Sequence, residues 1–239
     1  MDDKENRFDY CTNVDLHILD APNSIETAVA IAAEHGFRGI VVPISQLEYL
    51  VKLLKKTSDD CKILPICILD YPYGSSSQDI RTYSILSAKE KGAKEIEIVA
   101  PYHLYQKKDF ENILADMKSL VLTANRAGIS IKYIIDQNSG FVEDSMKTKL
   151  CRMISSSKMP IVSSSSGFFD KDINHPDNIL KMRALKSKTN AIVKVFINTI
   201  NPTEFAMYPK AGADIIGLQW NKAPHVVHAY EDLIENSSK

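Results

Sequence analysis

The sequence predicts an α/β protein with a single eight-stranded (β/α)8 barrel, the TIM barrel architecture, and three observations support this prediction. The chain has 239 residues, close to the roughly 250 that are typical of such a barrel. Short runs rich in Val and Ile alternate with longer amphipathic stretches, which is the pattern of repeated βα units around a parallel sheet. Eight such runs can be counted, and eight strands close the barrel.

The predicted strands are rich in apolar residues, and several are nearly continuous in Val and Ile, as strands buried on both faces are. They are Val14–Leu19, Gly39–Pro43, Ile63–Leu69, Glu95–Ala100, Ile131–Asp136, Ile161–Ser165, Ala191–Ile197 and Asp214–Leu218. The sixth strand is the weakest prediction, because a run of four serines has poor strand propensity.

Helices are predicted between the strands. The clearest begins at Ser24, where Asn23 and Glu26 have capping-box spacing, and it ends at Gly36. The predicted helices are Ser24–His35, Gln46–Lys55, Asp79–Lys91, Asp109–Ala127, Glu143–Ser156, Pro176–Lys186, Thr203–Ala211 and Pro224–Glu235. The sequence shows no central linker rich in Pro and Gly, so we expect one barrel over residues 13–239 after a flexible segment over residues 1–12.

Composition excludes several classes of protein. Hydrophobic residues make up 44% and charged residues 25% of the chain, which is typical of a globular protein. The net charge of −1 gives no basic field for binding nucleic acid. No apolar run reaches the length of a membrane span, and the charged N-terminus lacks the core of a signal peptide. We therefore expect a cytoplasmic protein that binds neither nucleic acid nor membrane.

Metal and cofactor sites are not predicted. The four cysteines lack C-x-x-C spacing, which argues against a zinc site and against a disulfide framework. His17, His103 and His175 are candidates to line the barrel mouth, but they do not share metal-ligand spacing with a third partner. The serine run lacks a Gly-x-Ser-x-Gly elbow, so a nucleophilic serine is disfavoured.

Catalytic residues of such barrels lie at the C-terminal ends of the strands, and here those segments resemble deoxyribose-phosphate aldolases. The matching segments are Val14-Asp15-Leu16, Asp70-Tyr71-Pro72-Tyr73-Gly74, Glu95-Ile96-Glu97-Ile98-Val99-Ala100-Pro101-Tyr102, Ile131-Lys132-Tyr133-Ile134-Ile135-Asp136, Ile161 to Gly167, Val193-Lys194, Ala211-Gly212-Ala213 and Ile216-Gly217. Their order and spacing cover most of the chain.

The resemblance implies a catalytic set that is incomplete here. Members of that family form a Schiff base on a strand-six lysine, assisted by a strand-seven lysine and a strand-four carboxylate. Lys194 and Glu97 occupy the strand-seven and strand-four positions, but Ser163 occupies the position of the Schiff-base lysine. Serine cannot form an imine. The resemblance also implies substrate-binding positions at Asp15, Asp136, Ser164, Ser165 and Gly167.

The phosphate site of the family is altered in three segments. A Gly-Gly pair after strand seven would let backbone N–H groups approach the anion, but Ile197-Asn198 stand there. Leu218-Gln219-Trp220 replace the small hydroxyl residues expected after strand eight, and Phe168 follows Gly167. We therefore do not expect a small sugar phosphate as ligand.

Two interpretations of the interior lysines stay open. Lys194 is either catalytic or paired with Glu97, and Lys132 is either a relocated Schiff-base lysine or part of an ion-pair network with Asp15 and Asp136. The leading hypothesis is an aldolase-like barrel that has lost deoxyribose-5-phosphate cleavage and acts as a binding or scaffold protein.

Because aldolase-type barrels include actin-binding members, the resemblance suggests a protein partner such as actin, although the sequence contains no actin motif. The alternative hypothesis is an active class I lyase on a changed substrate, using Lys132 or Lys194. A third is a small-ligand sensor, for which a large open pocket at the mouth would be the sign. The oligomeric state is left open.

Overall fold

The structure is a computed structural model that describes residues 13–19, 24–57, 62–136, 142–168, 187–198 and 200–237. The flexible segment predicted over residues 1–12 and the helix predicted over Pro176–Lys186 lie outside these described residues. So do Cys11, Cys61 and His175.

Eight parallel strands form a closed barrel in which each strand pairs with its neighbours in chain order and β8 pairs with β1. The strands are β1 (Val14–His17), β2 (Gly39–Pro43), β3 (Leu64–Leu69), β4 (Glu95–Val99), β5 (Ser130–Ile134), β6 (Ile161–Ser163), β7 (Ile192–Ile197) and β8 (Ile215–Gln219). The predicted (β/α)8 barrel is confirmed. Strand β6 has only three residues, as its serine-rich sequence suggests.

Helices connect the strands along the described chain. They are α1 (Ile25–His35), α2 (Ile44–Thr57), α3 (Gln78–Glu90), α4 (Tyr102–Gln106), α5 (Phe110–Ala127), α6 (Asp144–Ser157), α7 (Pro202–Lys210) and α8 (Ala223–Ser237). The short helix α4 was not predicted. Among the described residues, no helix is both long and apolar enough to cross a membrane.

The predicted capping box at the start of α1 is wrong. Ser24, not Asn23, is the N-cap residue, and its side chain makes no capping hydrogen bond. Glu26 instead accepts a hydrogen bond from the Tyr49 hydroxyl on α2. Its carboxylate therefore links two helices.

The barrel interior carries charged side chains where bulky aliphatic residues are usual. Strand β4 alternates Glu95 and Glu97 with Ile96 and Ile98, and all four are buried. Because side chains alternate across a strand, the two glutamates point to one face and the two isoleucines to the other. The glutamates contact cations of other strands, so the interior is the charged face and the helices cover the apolar one.

A second buried ion cluster fixes α3 and α5 to the barrel. The Arg81 guanidinium on α3 donates to both carboxylate oxygens of Asp116 on α5, at 3.0 and 3.1 Å, and to the Val99 carbonyl at 2.9 Å. It also contacts the Asp70 carboxylate after β3. These bonds hold the segments that follow β3 and β4, which border the barrel mouth.

Candidate functional site

Lys132 lies at the centre of the barrel and reaches towards its N-terminal end. Its Nζ is 2.7 Å from Asp15 Oδ2, 2.6 Å from Glu95 Oε1 and 3.0 Å from Glu97 Oε1. Arg38, just before β2, donates to Asp15 Oδ1 at 2.6 Å and to both Glu95 oxygens at 2.9 and 2.8 Å.

Lys194 lies nearer the mouth and binds two of the same carboxylates. Its Nζ is 3.0 Å from Asp15 Oδ2 and contacts Glu97 Oε1 directly, so the predicted pairing with Glu97 is present. On its other side, Nζ lies 2.8 Å from Nε2 of His17. Both Lys132 and Lys194 are 0% exposed.

The interior charges balance. The cations Arg38, Lys132 and Lys194 bind three carboxylates, those of Asp15, Glu95 and Glu97. A buried charge is tolerated when it is paired and hydrogen-bonded. We call these six residues the interior network.

Burial and the nearby cations oppose each other at the carboxylates. Burial alone would raise the pKa of Asp15. The positive charges of Lys132, Lys194 and Arg38 lower it by more than burial raises it, so the pKa lies well below the ordinary value. Burial would also raise the pKa of Glu97, but the positive charges of Lys194 and Lys132 lower it to about 2. Both groups are therefore carboxylates at neutral pH.

The two lysines differ in their electrostatics. Burial would lower the pKa of Lys132, but Asp15, Glu97 and Glu95 raise it above the ordinary value. For Lys194, burial and the positive charge of Lys132 outweigh the attraction of Asp15 and Glu97, so its pKa is lowered. A lysine with a lowered pKa is a better nucleophile near neutral pH than an ordinary one.

His17 is a neutral imidazole. Burial and then the charge of Lys194 lower its pKa to about 3, although Glu97 and Asp15 oppose this. Its Nδ1 is buried and has no hydrogen-bond partner among the described residues. The pairing of His17 with Lys194 was not predicted, although Asp15 and His17 are two residues apart on β1 and so share a face.

Ser163 takes the strand-six position beside Lys194. The two residues are register partners on β6 and β7, and Ser163 is fully buried. Its hydroxyl donates to the Ser165 carbonyl at 3.0 Å. The hydroxyl is thus used to shape the loop that follows the strand.

Asp136 does not join the interior network. Its carboxylate accepts hydrogen bonds from the Tyr102 hydroxyl and from the Ser166 backbone N–H, the latter at 2.5 Å. The carboxylates around Lys132 belong to other residues, so the predicted pairing of Lys132 with Asp136 is wrong. Asp136 instead ties the segment after β6 to the end of β5.

The other residues assigned to substrate binding by resemblance are mostly buried. The Ser164 N–H donates to the Lys194 carbonyl at 3.0 Å, and the Ser165 hydroxyl accepts from the Gly167 N–H at 2.9 Å. Gly167 has a φ of +82°, and a Cβ there would lie 2.6 Å from the Phe196 ring. Among Asp15, Asp136, Ser164, Ser165 and Gly167, only Gly167 lines the described mouth cavity.

Among the described residues, a cavity of about 140 Å³ lies at the mouth of the barrel. Its described lining consists of His17, Leu19, Tyr71, Ser166, Gly167, Phe196, Asn198 and Gln219. The ring centroids of Phe196 and His17 lie 4.8 Å apart. A Cβ on Gly217 would lie 2.9 Å from His17 Nε2, 3.0 Å from Lys194 Cε and 3.1 Å from the Phe196 ring, so these three side chains pack closely around Gly217.

Residues from the segments that the resemblance assigns to phosphate binding lie around this cavity. Phe168 makes edge contacts with Tyr71 and Tyr73, with centroids 5.7 and 5.5 Å apart. The Asn198 side chain accepts a hydrogen bond from Lys222. Aromatic rings and amides thus occupy the described rim of the mouth.

A larger cavity of about 410 Å³ lies outside the barrel, between α3 and the α4–α5 segment. His103 lines this cavity, so its predicted place at the mouth is wrong.

Among the described residues, no three His, Cys, Asp or Glu side chains are grouped so that they could hold a metal ion. Cys67 and Cys151 are buried free thiols.

Comparison with known proteins identifies similar aldolases. The chain is 26% identical over 220 residues to a deoxyribose-phosphate aldolase of Dictyoglomus turgidum, covering 89% of this chain and 94% of that protein. It is 26% identical over 161 residues to one of Clostridium perfringens, covering 67% of this chain and 68% of that protein. No family model matches the chain.

Solved structures show the same fold. A deoxyribose phosphate aldolase from Aeropyrum pernix superposes with a TM-score of 0.80 at 20% identity, covering 94% of this chain and 92% of that one. An aldolase named QR15 gives a TM-score of 0.78 at 18% identity, covering 95% and 99%. At such identities the structural likeness establishes the barrel fold.

Proposed function

We propose that this chain, a divergent relative of the deoxyribose-phosphate aldolases, no longer cleaves deoxyribose-5-phosphate and acts as a binding or scaffold barrel. The observation that carries the proposal is Ser163, a fully buried serine beside Lys194 where the relatives' chemistry needs an amine. An imine requires a nitrogen nucleophile. The Ser163 hydroxyl cannot supply one.

The surroundings of the two interior lysines support the loss of activity. A Schiff base forms only when the carbonyl carbon of a substrate can reach the amine. Lys132 and Lys194 are fully buried, and the side chains of His17 and Phe196 pack with Lys194 around Gly217. The mouth cavity is also smaller than the usual 300–1,000 Å³ of small-molecule sites.

A coupled assay for the glyceraldehyde 3-phosphate product tests the loss of activity. We expect no turnover of deoxyribose-5-phosphate above a protein-free blank, while the Dictyoglomus turgidum relative, assayed alongside, serves as the positive control. Turnover comparable to that of the relative would overturn the proposal. A Ser163→Ala variant, which keeps the site free of a new amine, should match the wild type.

The scaffold role is supported by an exposed apolar face on α3. Ile80, Tyr83 and Leu86 lie three residues apart and are 56%, 70% and 42% exposed, so they share one side of the helix. Grouped apolar side chains on a surface are typical of protein contact sites. Resemblance to actin-binding aldolase-type barrels makes filamentous actin the first partner to test.

Co-sedimentation with filamentous actin tests this partner. We expect the wild type to pellet with filaments and a Tyr83→Ser/Leu86→Ser variant to pellet less. Leu122→Ser, which removes a 50% exposed apolar side chain from α5 and leaves the α3 face intact, is the matched control. If the wild type does not co-sediment, actin is excluded as the partner. The loss of aldolase activity is tested separately, by the coupled assay.

The lowered pKa of Lys194 favours a second candidate function, a class I lyase on a changed substrate. A neutral Lys194 amine would condense with an aldehyde, with loss of water, to an imine that borohydride reduces to a stable secondary amine. Trapping with glycolaldehyde followed by mass spectrometry distinguishes the candidates. The scaffold proposal expects no selective adduct. A stoichiometric adduct on Lys194 or Lys132, abolished by replacing that lysine with Met, would establish the lyase function instead.

A further inference from the structure

We propose that the cavity outside the barrel, between α3 and the α4–α5 segment, binds a small aliphatic amine in its cationic form. This cavity, which we call the outer cavity, has a volume of about 410 Å³, within the roughly 300–1,000 Å³ that is usual for small-molecule sites. Its lining residues all lie within residues 62–136, a range that the structure describes without a gap. The site is separate from the barrel mouth, so the proposal does not depend on the loss of aldolase activity.

The buried ion cluster beside the outer cavity contains more negative than positive charge. Arg81 and Asp116 line the cavity, and the Arg81 guanidinium pairs with the carboxylates of both Asp116 and Asp70. Among the described residues, no second cation pairs with either carboxylate. All three side chains are at most 7% exposed. One buried guanidinium therefore faces two buried carboxylates.

Hydrogen-bond donors hold both carboxylates in their charged form. The two oxygens of Asp116 accept from Arg81 at 3.0 and 3.1 Å, which is the bidentate geometry of a guanidinium–carboxylate pair. Asp70 Oδ1 accepts from the Ser76 backbone N–H at 3.1 Å and from the Ser76 hydroxyl at 2.7 Å. The cluster thus holds a negative charge that no described side chain compensates.

The pKa of Asp116 reflects this shortage of cations. Burial and the negative charge of Asp70 raise the pKa of Asp116 by more than Arg81 and Tyr133 lower it, so it lies above the ordinary value. In the interior network, where cations and carboxylates are equal in number, the pKa of Glu97 is instead lowered. A cation in the outer cavity would supply the missing compensation, because a buried charge is tolerated when it is paired.

The two helix ends at the outer cavity do not favour an anion instead. Gln78 and Asn112, from the first turns of α3 and α5, line the cavity. A helix N-terminus attracts anions through its partial positive charge. Here the first turn of α3 carries Asp79, and Asp109 caps α5 by accepting the Asn112 N–H at 3.2 Å. Each helix end therefore already has a carboxylate of its own.

The rest of the lining fits a cationic head with a short aliphatic tail. Pro101, Leu104 and Ala115 offer apolar surface to methylene groups. Asp116 Oδ1 accepts one hydrogen bond from the described residues, from Arg81 Nε, whereas a carboxylate oxygen can accept two. An ammonium group donates hydrogen bonds and carries the missing positive charge.

Three four-carbon probes that differ in charge test the proposal. The full chain is titrated with n-butylamine, 1-butanol and butyrate, and the NMR signals of the His103 imidazole, which lines the outer cavity, report binding. We expect butylamine to shift these signals and to bind about 10-fold or more tightly than butanol, the effect of a hydrogen bond to a charged group. Butyrate should bind more weakly than butanol.

Asp116→Asn removes the uncompensated charge and leaves Arg81 paired one to one with Asp70. This variant should bind butylamine about 10-fold more weakly than the wild type does. Asp79→Asn is the matched control, because it removes the same charge from an exposed residue of α3 that does not line the cavity. The control should change the affinity by less than about 2-fold, since exposed charges are screened by solvent.

Ala115→Phe tests the location of the site while leaving the ion cluster intact. Ala115 is an exposed residue of α5 that lines the outer cavity, so a ring there fills the cavity without disturbing the core. We expect this variant to lose the butylamine-induced shift of the His103 signals. Leu122→Phe, at an exposed position of the same helix outside the lining, is the control and should bind butylamine as the wild type does.

Four results would overturn the proposal. Butanol or butyrate may bind as tightly as butylamine, or butylamine may leave the His103 signals unshifted. Asp116→Asn and Asp79→Asn may weaken binding equally, or binding may survive Ala115→Phe. None of these results bears on the cleavage of deoxyribose-5-phosphate, which the coupled assay tests separately.

Discussion

Lys132 and Lys194, on strands β5 and β7, bind the same oxygen atom. Oδ2 of Asp15 lies 2.7 Å from the Lys132 nitrogen and 3.0 Å from the Lys194 nitrogen, and Glu97 Oε1 bridges the same pair. Each carboxylate therefore compensates two buried cations at once. Removing one member leaves charge uncompensated at the centre of the barrel.

Replacement of Lys132 by Met should destabilise the protein strongly. It leaves three buried carboxylates with two cations, and breaking a buried ion pair from one side typically costs about 3–5 kcal/mol. Urea unfolding of the purified variant measures the change. Lys91→Met is the control, because Lys91 pairs with Glu48 on the surface and should cost about 1 kcal/mol or less. Equal effects of the two changes would contradict a structural role for the network.

Stability should fall on acidification, first through His17 and then through Glu97. The His17 pKa drops from 6.5 in the unfolded chain to about 3 in the fold, so the unfolded state binds the proton more readily between these values. The free energy of unfolding then decreases as pH falls, by at most about 1.4 kcal/mol per pH unit. Glu97, lowered from 4.5 to about 2, adds a loss as pH falls through that second range.

Urea titrations across the acid range check this pH dependence. His17→Phe should flatten the slope between pH 6.5 and 4.5 and leave the loss at lower pH, which belongs to the carboxylates. An unchanged slope in the variant would mean that another group controls the upper range.

Removing the Phe196 ring should expose Lys194 to small aldehydes. Phe196 packs against His17 and beside the aliphatic end of Lys194, so Phe196→Ala opens the route from the mouth. We expect glycolaldehyde and borohydride to label Lys194 more in this variant than in the wild type. Phe205→Ala removes another buried ring, on α7, and controls for general loosening, since each change costs about 3–5 kcal/mol. Equal labelling in both variants would show that Phe196 does not shield the amine.

The barrel could be predicted because its signal is local. Apolar runs at regular spacing identify eight strands, and the observed strands lie within a few residues of the predicted ones. The short helix α4 was missed because Tyr102–Gln106 is only five residues long and carries no apolar stripe that a periodicity analysis can detect. Its place is set by Tyr102 and Tyr105 packing into the core.

The interior network could be predicted only in part. Glu97 and Lys194 were identified because they match catalytic positions near the C-terminal strand ends. Glu95 and Arg38 were missed because they lie towards the other end of the barrel. The alternation of Glu95 with Glu97 in a buried strand was a usable signal, because both must face the same side. Asp136 was misassigned because its partners, Tyr102 and Ser166, come from segments whose positions no spacing rule gives.

Restoring a strand-six lysine should not restore aldolase activity. A lysine at position 163 would stand beside Lys194 as a further buried cation, while every described carboxylate of the interior network already binds two cations or more. The new ammonium has no carboxylate of its own, so we expect Ser163→Lys to lower the free energy of unfolding by several kcal/mol, as an unpaired buried charge does. Ile197 and Asn198 would also still stand where the resemblance places a phosphate-binding Gly-Gly pair. Ser163→Ala is the control, since it loses only the bond to the Ser165 carbonyl, worth about 1 kcal/mol. The coupled assay should detect no cleavage by either variant; cleavage by Ser163→Lys would mean that the missing lysine alone separates this barrel from an active aldolase.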